Sequence, residues 1–320
     1  MKASIRTFIA IITITTLSSW GFFAHKRINR LAVFTLPKGM SGFYEANIDF
    51  ITEHAVDPDK KRYVDSLEAP RHFLDADRYG KRPFMALPVK WKDAVKKYSE
   101  DTIKKYGTVP WEIQYQYYRL VDAFKRHDTT DILKTSANLG HYLADAHVPL
   151  HLTMNYDGQL THQEGIHALW ESRIPELFSD HYYYYAGKAR YIENPLNEAF
   201  KICRSSFKAV DSVLRFERSV DRTFPQDKKY EMVKHGSKTY KDYSVAYARA
   251  YQNALKGMVA RRMRSAILEI GSYWFSAWVD AGQPNLDKLI VKHLSPAQKK
   301  QIQHEAALYR AGKVLVLGVH

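Results

Sequence analysis

Cysteine is almost absent from this 320-residue chain, which contains only Cys203. A single cysteine cannot form an intramolecular disulfide, and it excludes any metal site built from several thiolates. Glycine (15) and proline (12) are sparse, so no Gly/Pro-rich low-complexity segment is present. Acidic residues are in deficit, because 48 Lys and Arg stand against 34 Asp and Glu and give a formal net charge of +14. An anionic surface or a polyanion is therefore a reasonable partner.

Long apolar runs are confined to the N-terminus. Lys2 and Arg6 precede the apolar segment Phe8–Leu17, and two serines separate that segment from Trp20. This order is typical of a secretory signal peptide, which predicts cleavage before Trp20. The run is too short for a spanning helix, although an uncleaved membrane anchor is the alternative interpretation. We therefore expect a secreted or periplasmic protein that folds without a disulfide, for which bound metal is a candidate stabiliser.

Helical periodicity dominates the rest of the chain. The predicted helices are Tyr44–Glu53, Trp91–Tyr106, Pro110–Arg126, 128–146, Gly165–Arg173, Pro195–Val220 and Tyr243–Val279. Asp128 is the expected N-cap of the fourth helix, and Pro149 limits its end. Strand-like alternation is nearly absent, and Lys313–Val319 is the only clear β-branched run. These patterns predict a mainly α fold, in which one domain forms a helical bundle.

Three segments concentrate imidazole and carboxylate side chains. Two contain a His and a carboxylate four positions apart, which places both on one face of a helix, and the third contains a His-x-x-Asp sequence. The residues are His141, Asp145 and His151; His167 and Glu171; and Asp57, Asp59, His72 and Asp75. Imidazole and carboxylate are what zinc binds when no thiolate is available. One such pair is common by chance, but three segments together predict a metal site.

The order and spacing of these motifs resemble the zinc-dependent phospholipase C and single-strand-specific nuclease superfamily (the nuclease S-one and P-one type). That family has a helical H-x-x-x-D followed six residues later by a His in a Pro-Leu-His context, as in HYLADAHVPLH at 141–151. Its later H-x-x-x-D/E matches 167–171, and its earlier H-x-x-D matches 72–75. The family begins its mature chain with a Trp and a companion His, which Trp20 and His25 match.

The resemblance implies three zinc ions per chain and a ligand set for each. The implied ligands are Asp57, His72, His141 and Asp145 for the first; His151, His167 and Glu171 for the second; and Trp20 (through its amino nitrogen and carbonyl oxygen), His25 and Asp145 for the third. Asp145 would then bridge two metals. Spacing favours Asp57 in the first set, and Asp59, on the other side of Pro58, is the alternative.

Hydrolysis of a phosphodiester is the activity that the resemblance implies. Water bound between paired zinc ions has its pKa lowered towards neutrality and provides a hydroxide nucleophile. Asp75 is expected to orient or deprotonate that water. The nuclease members carry an arginine three residues after the first aspartate; here that position is Lys60, with Arg62 two residues further on. These two cations are the candidates for stabilising charge on the phosphoryl oxygens.

The substrate class stays open between lipid and nucleic acid. Glu171 in place of Asp, the short gap from His151 to His167 and the absence of cystines favour a phospholipase C acting on a phospholipid surface. The spacing of Trp20 and His25 favours the alternative, a nuclease acting on single-stranded DNA or RNA. A non-catalytic zinc-binding secreted protein is the alternative of another class, and no protein partner is expected. The expected organisation is a signal peptide (1–19), a zinc hydrolase domain (20–280) and a C-terminal extension of unknown role (281–320).

Overall fold

The computed structural model describes residues 21–235, 238–291 and 293–315, and within them the chain is mainly helical. Trp20 and the predicted signal peptide lie outside the described residues. The α-helices, in chain order, are α1 (Gly21–Ala32), α2 (Lys38–Ala46), α3 (Ile48–Glu53), α4 (Asp57–Lys61), α5 (Pro83–Ala86), α6 (Trp91–Tyr98), α7 (Glu100–Tyr106), α8 (Val109–Arg126), α9 (Thr129–His147), α10 (Ile166–Ala168), α11 (Ile174–Phe178), α12 (Pro195–Asp221), α13 (Val245–Ala254), α14 (Met258–Asp280) and α15 (Pro296–Arg310). None of the described helices is long and apolar enough to cross a membrane.

The helices α8, α9 and α12 begin and end within two residues of their predicted bounds. Asp128 caps α9 as predicted, because its side chain accepts a hydrogen bond of 3.0 Å from the Asp131 amide. Two long predicted helices are instead broken. Ser99 (φ 68°) separates α6 from α7, and Gly257 (φ 74°) separates α13 from α14. A residue in the left-handed region cannot continue a right-handed helix, so each break changes the direction of the chain.

The structure contains a β-hairpin that the sequence analysis did not predict. Strand β1 (Tyr230–His235) pairs with the antiparallel strand β2 (Lys238–Tyr243), with Tyr230 opposite Tyr243. The signal was available, since two alternating runs flank the Gly-Ser dipeptide at 236–237. Of the predicted β-branched tail, only residues 313–315 are described, and they are irregular.

Helix α9 lies at the centre of the packing, in contact with α1, α8, α12 and α14. Ser136 on α9 is buried and bonds to two other helices. Its carbonyl accepts a hydrogen bond of 3.0 Å from Trp274 Nε1, and its hydroxyl lies 2.8 Å from the hydroxyl of Tyr44. The rings of Tyr44 and Trp274 stack at 5.1 Å between centroids. Large aromatic side chains thus fix α2 and α14 against α9.

A glycine allows α1 to approach α9 closely. A Cβ atom at Gly140 would lie 1.9 Å from Asn29 Oδ1, so any other residue here would displace the Asn29 side chain. The Asn29 side chain also donates to the carbonyl of His25, one turn earlier on α1. The close approach brings the ring of His25 to 4.2 Å from that of His141, measured between centroids. The backbone at Gly140 therefore positions one histidine of the candidate site.

The C-terminal segment packs against α1. Arg30 on α1 makes two hydrogen bonds to Glu305 on α15, at 2.7 and 2.9 Å. Ile302 and Tyr309 of α15 are buried, and the Tyr309 hydroxyl accepts a hydrogen bond from the Ala186 amide. Residues that the sequence assigned to an extension of unknown role thus contribute to the hydrophobic core.

Candidate metal centre

Three groups of His, Asp and Glu side chains meet where α1, α4, α9 and the segment 166–173 converge. Within each group, the ligand atoms all lie within 4.8 Å of one another. The first ligand group is Asp59, His72 and His141; the second is His151, His167 and Glu171; the third is His25, His141 and Asp145. Residues of all three predicted segments are thereby brought together in space, and His25 and Glu171, which face each other, are 146 residues apart in the chain.

In the first group, His72 turns Nδ1 towards its partners. This atom lies 2.9 Å from Asp145 Oδ2 and 3.0 Å from His141 Nε2. Asp59 Oδ1 lies 3.7 Å from each of the two imidazole nitrogens. Two nitrogens and two carboxylate oxygens therefore surround one small volume.

The structure places Asp59 in this group, and it places the predicted ligand Asp57 elsewhere. Asp57 pairs with His54 at 2.5 Å and with Lys60 at 3.0 Å, on the outside of α4. Residues two apart on a helix point about 200° apart, so the two aspartates of Asp-Pro-Asp cannot serve the same site. The geometry therefore favours Asp59 over Asp57 as the candidate ligand of the first group.

The second group is built on a π-helical turn. His167 Nε2 lies 2.7 Å and His151 Nε2 lies 3.2 Å from the same oxygen, Glu171 Oε2. The segment Leu169–Arg173 is π-helical between α10 and α11, where a continuous α-helix ending at Arg173 was predicted. Single π-helical turns often mark functional sites, and this one carries Glu171.

Asp145 and Glu171 each face two groups. The second oxygen of each carboxylate, Asp145 Oδ1 and Glu171 Oε1, lies 3.3 Å from His25 Nε2. The two oxygens of Asp145 face different histidines, which is compatible with the bridging role that the motif resemblance implies. The equivalent position of Glu171 was not anticipated, and it connects the second group to the third through His25.

The ring protons of three histidines are committed to the backbone. His141, His151 and His167 each direct Nδ1 to a carbonyl oxygen, of Ala55 (2.9 Å), His72 (2.7 Å) and Tyr156 (3.1 Å) respectively. A neutral imidazole has one proton, so each Nε2 then presents a lone pair to a carboxylate oxygen. Such a contact requires a cation between the two atoms, either a second proton or a metal ion. The donor set and its backbone support could therefore hold a metal ion.

The pKa values of these groups also indicate that the buried carboxylates favour a nearby positive charge. Burial lowers the pKa of His151, but the charges of Asp145 and Glu171 outweigh burial and raise that pKa to about 9. Burial also disfavours the charged forms of Asp145 and Glu171, yet the neighbouring imidazoles hold both carboxyl pKa values well below their usual range. A metal ion would therefore bind in exchange for imidazole protons.

The centre is partly exposed to solvent. His25, His72, His141 and Asp145 are buried, whereas the side chains of Asp59 and His167 are 21% and 26% exposed. The described chain begins next to the third group, because a Cβ atom at Gly21 would lie 3.8 Å from Glu171 Oε1. Trp20, the ligand that the resemblance implies there, lies outside the described residues.

The two predicted cations are placed differently. Arg62 Nη1 lies 3.5 Å from Oδ1 of Asp59, the partly exposed member of the first group. Lys60 instead pairs with Asp57 on the outer side of α4. Of the two, Arg62 is the one that contacts a residue of the three candidate ligand groups.

The backbone next to Asp75 is hydrogen-bonded to a residue of the second group. The preceding residue, Leu74, donates its amide to the carbonyl of His151 at 2.9 Å. Partial burial and the charge of Asp77, opposed by that of Arg78, raise the pKa of Asp75 to about 6. A carboxylate with this pKa is ionised at neutral pH and can accept a proton.

Comparison of the chain with protein-family models and with curated proteins finds no match.

Proposed function

We propose that this protein is a zinc-dependent phosphodiester hydrolase, in which a metal-activated water attacks phosphorus within a helical domain that encloses three zinc ions. The observation that carries the proposal is the meeting of the three ligand groups at two shared carboxylates, Asp145 and Glu171. Closely spaced metals that share a carboxylate are typical of enzymes that displace groups at phosphorus.

The residues present fit the metal. The first zinc would be held by Asp59, His72, His141 and Asp145, the second by His151, His167 and Glu171, and the third by His25, Asp145 and the predicted N-terminal Trp20. Bound zinc supplies a Lewis acid for the phosphoryl oxygens and a water of lowered pKa. The backbone carbonyls behind the histidines hold each ring in one tautomer and orientation.

Arg62 and Asp75 would assist the reaction. Arg62 lies beside Asp59, where its guanidinium can pair with phosphoryl oxygens as negative charge develops on them. Asp75 would accept the proton that the attacking water loses, since its pKa of about 6 leaves it ionised at neutral pH. The second group offers three protein ligands, which would leave a coordination position for water or substrate, as in catalytic rather than structural zinc sites.

A phospholipid is the substrate that the surroundings favour. Tyr63, Val64 and Leu67 are exposed in the turn that follows Arg62. Tyr156 and Leu160 are exposed in the loop that leads to the second ligand group. Apolar side chains near the site, on a protein of net charge +14, suit the surface of an anionic or zwitterionic membrane.

Single-stranded nucleic acid is the second candidate, and Tyr156 is the observation in its favour. Its exposed ring lies 6.2 Å from that of His167, between centroids, where it could stack on a base. The ring alone does not account for the exposed aliphatic residues, so the phospholipid is preferred.

One side-by-side assay separates these functions. Zinc-loaded protein beginning at Trp20 is incubated with phosphatidylcholine vesicles, with single-stranded DNA and with bis-p-nitrophenyl phosphate, and the Asp145→Ala variant is the control. We expect phosphocholine release from vesicles that exceeds DNA cleavage and is lost in the variant. Cleavage of DNA alone would establish the nuclease, and no turnover of any of the three would favour a zinc-binding protein without catalysis.

A further inference from the structure

The second ring nitrogen of His72 faces a buried carboxylate that no motif includes. While Nδ1 points into the first ligand group, Nε2 points away from it and lies 3.7 Å from Glu68 Oε1. Both side chains are buried. In the described part of the chain, His72 Nε2 has no hydrogen-bond partner, and Glu68 is the only carboxylate within 4.0 Å of it.

Metal binding at Nδ1 creates a need for an acceptor at Nε2. The nitrogen that binds zinc must offer a lone pair, so the single proton of the neutral ring has to reside on Nε2. A buried N–H without an acceptor costs about 1–3 kcal/mol. Glu68 is the group that can remove this cost, since a movement of less than 1 Å would bring its oxygen to the usual hydrogen-bond distance of about 2.9 Å.

Glu68 is itself held in place from three directions. It accepts hydrogen bonds from the Tyr142 hydroxyl, from Lys61 Nζ at 2.6 Å and from Arg71 Nη1 at 3.1 Å. Tyr142 follows the ligand His141 on α9, and its ring lies edge-on to that of His72 at 5.3 Å between centroids. The carboxylate is therefore fixed to the same elements that carry the first ligand group.

We propose that Glu68 is the positioning residue of the first ligand group, accepting the Nε2–H of His72 whenever Nδ1 binds zinc. This hydrogen bond sets the tautomer and orientation of the ring and increases its basicity towards the metal. The inference rests on the proposed zinc centre and adds to it a residue that does not touch the metal.

The test compares Glu68→Gln with the matched variant Glu112→Gln. Glu112 is also buried, lies 3.6 Å from Arg71 and accepts a hydrogen bond of 2.7 Å from Gln116, but it makes no contact with His72. Both variants therefore remove one buried negative charge from the same cluster. Zinc affinity is measured by competition with a chromophoric chelator, and the ligand field by the visible spectrum of cobalt-substituted protein.

We expect Glu68→Gln to weaken one zinc site by about 10- to 100-fold and to change the cobalt spectrum. Glu112→Gln should keep the wild-type affinity and spectrum even if its melting temperature falls. Should Glu68→Gln fail to fold, Tyr142→Phe, which removes one donor to Glu68, decides by the same two measurements. Unchanged affinity and spectrum in the Glu68 variant, or equal losses in both glutamate variants, would overturn this inference alone. Wild-type protein that binds neither zinc nor cobalt would overturn the proposed function as well.

Discussion

Two buried carboxylates of this protein have opposite surroundings. Glu217 and Asp145 are each 1% exposed. Glu217 accepts hydrogen bonds of 2.5 Å from Gln163 Nε2 and from the Tyr247 hydroxyl, and Lys229 Nζ lies 3.7 Å away. Each of these three neighbours is a hydrogen-bond donor or a cation. The contacts attach the loop before the second ligand group to α12 and α13.

Asp145 is surrounded by imidazole nitrogens instead. His72 and His141 approach one of its oxygens at 2.9 and 3.3 Å, and His25 approaches the other at 3.3 Å. His141 has already committed its Nδ1 to the carbonyl of Ala55. A buried carboxylate supplied with donors stabilises the fold, whereas one that faces nitrogen lone pairs is arranged for a cation. The difference favours a structural role for Glu217 and, under the proposed function, a metal-binding role for Asp145.

Loss of Asp145 should have the largest effect of any single ligand substitution. Asp145→Ala removes a contact from two of the ligand groups at once, so we expect zinc content to fall by more than one ion and turnover by at least about 100-fold. His25→Ala should be milder, because His25 is a member of the third ligand group alone. Glu217→Gln, the matched structural carboxylate, should lower the melting temperature and leave zinc content unchanged. Equal losses of zinc and turnover in Asp145→Ala and His25→Ala would show that Asp145 does not bridge.

The two aspartates of Asp-Pro-Asp, Asp57 and Asp59, allow a second comparison within the single helix α4. Asp59→Asn should weaken the first zinc site by about 10- to 100-fold, because Asp59 faces His72 and His141. Asp57→Asn should change zinc affinity by less than about threefold, since Asp57 faces solvent and Lys60. Zinc titration of the two variants measures both values. The reverse order of effects would restore Asp57 as the ligand.

The N-terminus tests the third zinc site. A peptide nitrogen has its lone pair delocalised into the C–N bond, whereas a free α-amino group with a pKa of about 7.7–8.0 can deprotonate and bind zinc. Protein that begins with Met before Trp20 should therefore lack the third zinc, keep the other two and turn over slowly. Protein that begins at Trp20 is the control, and mass analysis of secreted protein should show Trp20 first. Equal zinc content and turnover in both forms would remove Trp20 from the ligand set.

The smallest expected effect concerns Glu176, a partly buried carboxylate outside the three ligand groups. Burial and the charge of Asp242, opposed by Arg173, raise the pKa of Glu176 to about 8. Its folded pKa exceeds the unfolded value of about 4.3, so folding binds a proton between these pH values and stability falls as the pH rises through that range. Glu176→Gln should therefore raise the free energy of unfolding by about 1–3 kcal/mol at pH 8 and leave it unchanged at pH 4. Thermal denaturation at both pH values measures the difference, and an equal change at both would contradict the shift.

The sequence allowed much of this site to be predicted, because helix spacing and motif order act locally. The pairs His141/Asp145 and His167/Glu171 share a face simply by being four apart. The choice between Asp57 and Asp59 could not be made, since it depends on which face of the short helix α4 packs against α9. Glu68 carried no recognisable spacing signal either, because its contact with His72 arises from the path of the turn between α4 and the 3₁₀ helix at 69–72.

The same distinction applies to the fold. Capping by Asp128 and the stop before Pro149 are local signals, and they set the ends of α9 within a residue. The helix breaks at Ser99 and Gly257 depend on backbone conformations that apolar periodicity does not encode. Periodicity continues across such a break whenever both halves pack on the same core.

Metal analysis of the mature protein tests the central claim most directly. Protein purified without chelator is assayed for zinc by elemental analysis, and its melting temperature is recorded before and after chelator is added. We expect close to three zinc ions per chain and a large fall in melting temperature on chelation, because the ligands come from separate segments that metal would hold together. One zinc ion or none in catalytically active protein would contradict the account.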